Sequence, residues 1–143
     1  MRQAKGTLGD NSFKKFQSIK MENQNKKQSL TIALEYFKAW NSKEFDKAAN
    51  YLSEDISFET PINSHGNKQT WMEAVKFTGI AASEIKLLAK FGNENEALLL
   101  YDMVLNPIGN LRIAEHFKIS NCKINMIRHV HDTAELRKAG FEK

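Results

Sequence analysis

The chain has a single cysteine, Cys122, among its 143 residues, which excludes an internal disulfide and any zinc site built on several cysteines. No apolar run approaches the roughly 20 residues that cross a bilayer. The N-terminal stretch, with Lys5, Lys14 and Lys15, lacks the continuous apolar segment of a signal peptide. There is no glycine-rich phosphate loop, no nucleophile elbow, no internal repeat and no low-complexity block. The length of 143 residues predicts one domain, and these absences lead to the expectation of a soluble, cytoplasmic protein.

Charge of one sign is also scarce where it would matter. The formal net charge of +4 is concentrated at one end: residues 1–27 hold seven Lys or Arg against Asp10 and Glu22, a net of +5. The other residues hold 14 basic and 15 acidic side chains, a net of −1. A basic face for nucleic acid is therefore not expected. Residues 1–27 are polar and without sustained period, so they read as a disordered or loosely helical basic leader. The working domain is 28–143. Met21 is a second possible start of translation.

What is present is a strong alternation of patterns. "SLTIALEYFKAWNSKEF" places Leu30, Ala33, Leu34, Phe37 and Trp40 at helical spacing, with Ser29 as a candidate cap and Tyr36 at the stripe's border. "KEFDKAANYL" fits a second helix, "DISFETP" a short strand closed by Pro61, and "KQTWMEAVKFTGIAA" a third helix with Trp71, Ala74, Val75 and Phe77 apolar. Four strands follow, near 84–92, 96–105, 111–121 and 122–132, with "GNEN", "NPIGN" and "SNCK" as turns. Helices segregated from an antiparallel meander predict an α+β fold. "ALLLYDMVL" is apolar on both faces. One face can hold the helices; Leu98, Leu100 and Val104 on the other predict a homodimer formed sheet to sheet.

One strand contains a misfit. In "LRIAEHFKI" the residues Leu111, Ile113, Glu115, Phe117 and Ile119 share a face, so a carboxylate stands among four apolar neighbours. That placement is costly unless the group is neutral, paired or hydrogen-bonded. Either Glu115 faces a pocket, or it is a structural carboxylate satisfied by a neighbour such as Tyr36.

The order and spacing of "EYFKAWNSKEFDKAANYLSEDISFETP", "HG", "AEHFKIS" and "KINMIRHVHD" resemble the nuclear transport factor 2-like superfamily, also called SnoaL-like or ketosteroid isomerase-like, over about residues 28–132. The resemblance implies a cone-shaped curved antiparallel sheet wrapped around three N-terminal helices, enclosing a pocket, and usually a dimer. It also implies roles for three positions. Tyr36, seven residues before Lys43 and Glu44, matches the ketosteroid isomerase tyrosine that precedes "GD" by the same interval. Glu115 of "AEHF" matches the aspartic acid of "IDHF", the second donor to the substrate oxygen. Thr60 of "ETP" stands where that family has its aspartate base, and a threonine hydroxyl does not take a proton from carbon at neutral pH. The family's own isomerisation is therefore not expected.

Two imidazoles offer a replacement. His129 and His131 alternate with Arg128 and Val130, and alignment with the family turns them toward the pocket with Ile127. They are candidates for acid–base chemistry, for ligand contact, or for metal binding with Glu115. His65, before the third helix, reads as a turn residue, and His116 and Asp102 fall on the outer face. Catalytic candidates are thus Tyr36, Glu115, His129 and His131; ligand-binding candidates are Trp40, Phe58, Thr60, Tyr101, Met103 and Ile127. No metal and no cofactor is expected. The resemblance implies an isomerase, cyclase, dehydratase or hydrolase acting on a small apolar carbonyl compound, or a noncatalytic binder using the same pocket.

Overall fold

The computed structural model describes residues 2–63 and 66–141, with side chains of the first helix described for 11–17 and from Gln28 onward. Helix α1 spans Arg2–Asn41 and so includes the segment read as a leader; Phe13 and Phe16 on it are exposed. Then come α2 (Phe45–Asn50), β1 (Leu52–Glu59), α3 (Lys68–Ala81), β2 (Ala82–Gly92), β3 (Glu96–Leu105), β4 (Gly109–Ser120), β5 (Lys123–Val130) and α4 (Ala134–Lys138). His65, read above as a turn residue, lies outside the described residues. Among the described residues no helix is long and apolar enough to cross a membrane.

The expected meander is present, β2 to β5, each strand antiparallel to the next. The sheet as a whole is mixed rather than antiparallel, because β1 adds to the free edge of β5 in parallel, giving the order β1-β5-β4-β3-β2. A parallel pair needs a long crossover, and everything from α3 through β4 supplies it. The sheet is curved and unclosed, and the helices fill its inner side.

Local chemistry explains the helix ends. Lys43 adopts φ 62, the left-handed region, while its amide and that of Glu44 bond back to the Trp40 and Ala39 carbonyls at 3.1 and 2.8 Å. This reverses the chain out of α1. At the start of α3 the Asn67 side chain accepts from the Thr70 amide at 2.9 Å, an N-cap.

The core lies between α1, α3 and the inner face of the sheet. From α1 it takes Ile32, Ala33, Tyr36, Phe37, Ala39 and Trp40. Tyr36 is therefore not at the edge of the apolar stripe but inside it, 1% exposed. From the sheet it takes Leu99, Tyr101 and Met103 of β3, Ile113 and Phe117 of β4, and Ile124 and Ile127 of β5. On the outer face Leu98 is exposed while Leu100 and Val104 are half-buried. Asp102 and Arg112 pair there at 2.7 and 2.9 Å, and His116 meets Glu96 at 3.1 Å.

Candidate functional site

Inside the cone is a cavity of about 230 Å³. Its walls come from every layer: Tyr36 and Trp40 from α1, Trp71 and Val75 from α3, Tyr101 and Met103 from β3, and Glu115 from β4. Thr60, Ile62 and Asn63 contribute from the segment after β1, and Leu136 and Phe141 from the C-terminal segment. His129 and His131 complete the lining. Most of this surface is apolar, with a few convergent polar groups, which is the usual make-up of a small-molecule site.

The register of the sheet builds the polar cluster. Leu99, Glu115 and His129 face one another across β3, β4 and β5. The misfit carboxylate of β4 therefore has an imidazole directly beside it, with His129 Nε2 2.6 Å from Glu115 Oε2. Tyr101 lies two residues along β3 from the position opposite Glu115, within diagonal reach. Its hydroxyl donates to Glu115 Oε1 at 3.2 Å. Glu115 is 1% exposed and yet satisfied on both oxygens. The expected neighbour, Tyr36, is not one of these partners; its oxygen instead accepts from the Trp71 indole Nε1 at 3.0 Å.

The electrostatics follow from burial. The phenols of Tyr36 and Tyr101 are pushed well above their ordinary value, first by loss of solvent and then by the negative charge of Glu115; the Trp71 bond pulls Tyr36 back in part. Both stay protonated at any physiological pH. His131 moves the other way, lowered chiefly by burial and only partly restored by the Asp132 carbonyl, to which its Nδ1 lies 2.9 Å away. It is a neutral imidazole at neutral pH.

The remaining candidates divide. Trp40, Thr60, Tyr101 and Met103 line the cavity; Phe58 and Ile127 do not. These last two are register partners on β1 and β5, so they lie outside together. Ile127 is sealed in the core, and Phe58 stacks flat on Trp71 with centroids 4.5 Å apart. The Thr60 hydroxyl donates to the Asn63 carbonyl and accepts from the Asn63 amide, so it is occupied by its own turn. Among the described residues no cluster of three His, Cys, Asp or Glu is placed to hold a metal ion.

Trp71 was read in the sequence only as an apolar position of the third helix. The signal that distinguishes it is chemical: a buried indole carries an N–H that needs a partner, and here that partner is Tyr36. Leu136 and Phe141 were likewise unread as lining, because a short tail after the last strand gives no periodicity.

No family model and no curated protein matches this sequence. Solved structures do. A Kribbella flavida DSM 17836 protein superposes with a TM-score of 0.73 at 24% identity, over 78% of this chain and 92% of that one. A nuclear transport factor 2-like protein of unknown function from Cytophaga hutchinsonii gives 0.64 at 19% identity, over 74% and 91%. The chain has the nuclear transport factor 2-like fold. An LEH-like epoxide hydrolase of M. tuberculosis is similar as well, with a TM-score of 0.65 at 13% identity, over 79% of this chain and 89% of that one. At these identities the nuclear transport factor 2-like likeness concerns the fold, and the chemistry has to be argued from the cavity.

Proposed function

We propose that the chain is a cofactor-independent acid–base enzyme of the SnoaL-like or ketosteroid isomerase-like type, an isomerase, cyclase, dehydratase or hydrolase acting on a small apolar carbonyl compound. The observation that carries this reading is the 2.6 Å pair of Glu115 and His129 on the wall of an apolar cavity. In a neutral imidazole, a carboxylate accepting from Nε2–H fixes the tautomer and leaves the lone pair on Nδ1. Nδ1 has no hydrogen-bond partner among the described residues and is not among the sealed, unpaired atoms. It is the base, replacing the aspartate that Thr60 does not supply. Tyr36 donates to the oxygen on which negative charge develops. Glu115, accepting on both oxygens, positions and supports His129 rather than donating. His131 contributes a second, neutral imidazole to the lining. The existence of an epoxide hydrolase on this fold agrees with such chemistry.

The test is proton exchange. Small cyclic ketones and enones incubated with the chain in D2O should acquire deuterium beside the carbonyl. His129→Gln should abolish the exchange and Tyr36→Phe should slow it by roughly 10²-fold or more. Equal exchange by the wild-type chain and His129→Gln would defeat the acid–base reading. A noncatalytic binder is the second reading, supported by the engagement of the Thr60 hydroxyl with Asn63; ligand binding without exchange would establish it.

The proposal extends to assembly and place. Leu98, Leu100 and Val104 support a homodimer through the outer sheet face, and sedimentation at tens of micromolar, where specific dimers persist, should show it; a monomer there would refute it. The free, exposed thiol of Cys122 agrees with the reducing cytoplasm. Residues 28–143 are the working domain and 1–27 a basic leader, with neither nucleic acid nor membrane as partner.

A further inference from the structure

The wall of the cavity is not equally secured all round. Leu136 and Phe141 line it from the segment after β5, which holds the short helix α4. That segment is folded by its own hydrogen bonds. The Ala134 amide donates to the Asp132 carboxylate at 3.0 Å, the Arg137 amide to the Thr133 carbonyl at 2.9 Å, and Arg137 Nε to the Thr133 hydroxyl at 3.1 Å. At its far end the Gly140 amide donates to the Arg137 carbonyl and the Phe141 amide to the Leu136 carbonyl, both at 3.0 Å, with Gly140 at φ 93. This is a Schellman turn, which brings the side chains of its first and last residues together. Here those residues are Leu136 and Phe141.

Nothing comparable ties the segment to the sheet. Among the described residues the one hydrogen bond leaving 132–141 comes from the adjacent residue, His131 Nδ1 donating to the Asp132 carbonyl. What holds the segment down is apolar: Leu136 is 7% exposed, and Phe141 is half-buried with its ring centroid 6.0 Å from that of Phe77. Glu135, Arg137, Lys138, Ala139 and Gly140 are exposed. One layer of residues therefore separates the cavity from solvent here, fastened by the same apolar pair that a ligand inside would touch. A five-residue helix has no stability of its own, and a segment with so few buried contacts opens at low free energy.

We infer that 132–141 is a displaceable cap, and that Leu136 and Phe141 are the specificity-determining residues that set how large a ligand the cavity takes. Docked, the cap closes a volume of about 230 Å³, below the roughly 300–1,000 Å³ of common small-molecule pockets, so it encloses only a small ring. A longer ligand binds when the cap lifts, and its apparent affinity is reduced by the fraction of molecules that are open. A ligand small enough to be enclosed touches the pair from inside and holds the cap down. The inference rests on the proposed function for the identity of the ligand site, not for its catalysis.

The experiment uses the full chain with cyclohexanone and 4-cyclohexylcyclohexanone, the same ketone extended by a second ring, followed by amide hydrogen exchange and NMR titration. In the free chain the amides of Ala139, Gly140 and Phe141 should exchange far faster than those of β3 and β4. Cyclohexanone at about ten times its dissociation constant should slow them roughly tenfold. Gly140→Ala is the decisive variant. A Cβ there meets nothing within 4 Å, so every lining residue stays in place and only the left-handed turn is penalised. It should speed exchange of the cap amides and raise the affinity for the longer ketone, each roughly tenfold, with β3 and β4 still protected and the cyclohexanone affinity nearly unchanged. Leu136→Ala, which loosens the cap and cuts back the wall, should favour the longer ketone at least as much. Cap amides as slow as those of β3 and β4, no slowing by bound cyclohexanone, or an unchanged size preference in Gly140→Ala would each overturn the inference, as would failure of the wild-type chain to bind cyclohexanone. Binding and slowing as described without deuteration of the ketone would uphold the cap while removing the enzyme reading; deuteration with a cap that does not respond would do the reverse.

Discussion

Replacing Glu115 by alanine and by glutamine should separate what its charge does from what its shape does. Alanine removes both acceptors at once. The Tyr101 hydroxyl, fully buried, then has no partner, which costs about 2 kcal/mol, and truncation leaves a void costing about 2 kcal/mol more. His129 is partly open to solvent, 17% at the side chain, so water can take its freed nitrogen. The sum is a loss near 4 kcal/mol, on the order of a 2 M fall in the urea midpoint for a domain of this size. Glutamine behaves differently. Its carbonyl can still accept from Tyr101, and its amide can donate to His129 Nε2 if that nitrogen gives up its proton to Nδ1. Weaker neutral bonds are offset by the relief of a buried charge, so stability should stay within about 1 kcal/mol of wild type. The imidazole should, however, change tautomer, which its 15N shifts report directly. Urea unfolding at pH 7 with these spectra is the assay. An alanine variant no less stable than the glutamine variant, or an unchanged tautomer in Glu115→Gln, would refute the reasoning.

The pH dependence should be alkaline. Tyr36 and Tyr101 have folded values raised above 10, so the unfolded chain loses these protons first and stability falls as pH rises past 10, by about 2.7 kcal/mol per pH unit for the two together. Of the three tyrosines, only the partly exposed Tyr51 should ionise before unfolding, which phenolate absorbance will show. Deleting residues 1–20 should move the melting temperature by less than about 2 °C, since the described side chains Phe13 and Phe16 are exposed; a larger fall would mean the segment packs on the domain. Lys43→Gly should stabilise by about 0.5–1 kcal/mol, because Lys43 occupies φ 62, where glycine has no penalty. Thermal melts that show destabilisation would argue that the Lys43 side chain contributes more than its backbone costs.

Much of the fold was legible because its signals are periodic. The spacing of Ala33, Phe37 and Trp40 predicts a helix face, and the alternation of Leu111, Ile113 and Phe117 predicts a strand face, so both survive translation into three dimensions. The parallel addition of β1 to β5 was not legible, since periodicity says which face a strand buries but not which edge it joins. The same limit applies to the site. Alternation alone placed Glu115 among buried neighbours, but its partners depend on register: Tyr101 and His129 are set by how β3, β4 and β5 slide against one another, and no local pattern encodes that. Phe58 and Ile127, read as pocket residues, are a cross-strand pair outside its lining: Ile127 is sealed in the core and Phe58 is stacked on Trp71.

Trp71 is a different kind of omission. Its spacing marked it as apolar, and nothing in a hydrophobic stripe distinguishes an indole from a leucine. Yet the indole has one polar atom that must be answered once buried, and the same requirement holds for Glu115 and both tyrosines. Four such residues on four different elements cannot each be satisfied by water in a closed core. They have to answer one another, and the pairs Trp71–Tyr36 and Tyr101–Glu115 are that solution. Counting donors and acceptors for the buried polar residues therefore does what periodicity cannot. Two donors and two acceptors cancel, the carboxylate has one oxygen left for His129, and the surplus is a single phenolic proton facing the cavity. The site is where the hydrogen bonds of these four residues do not close among themselves.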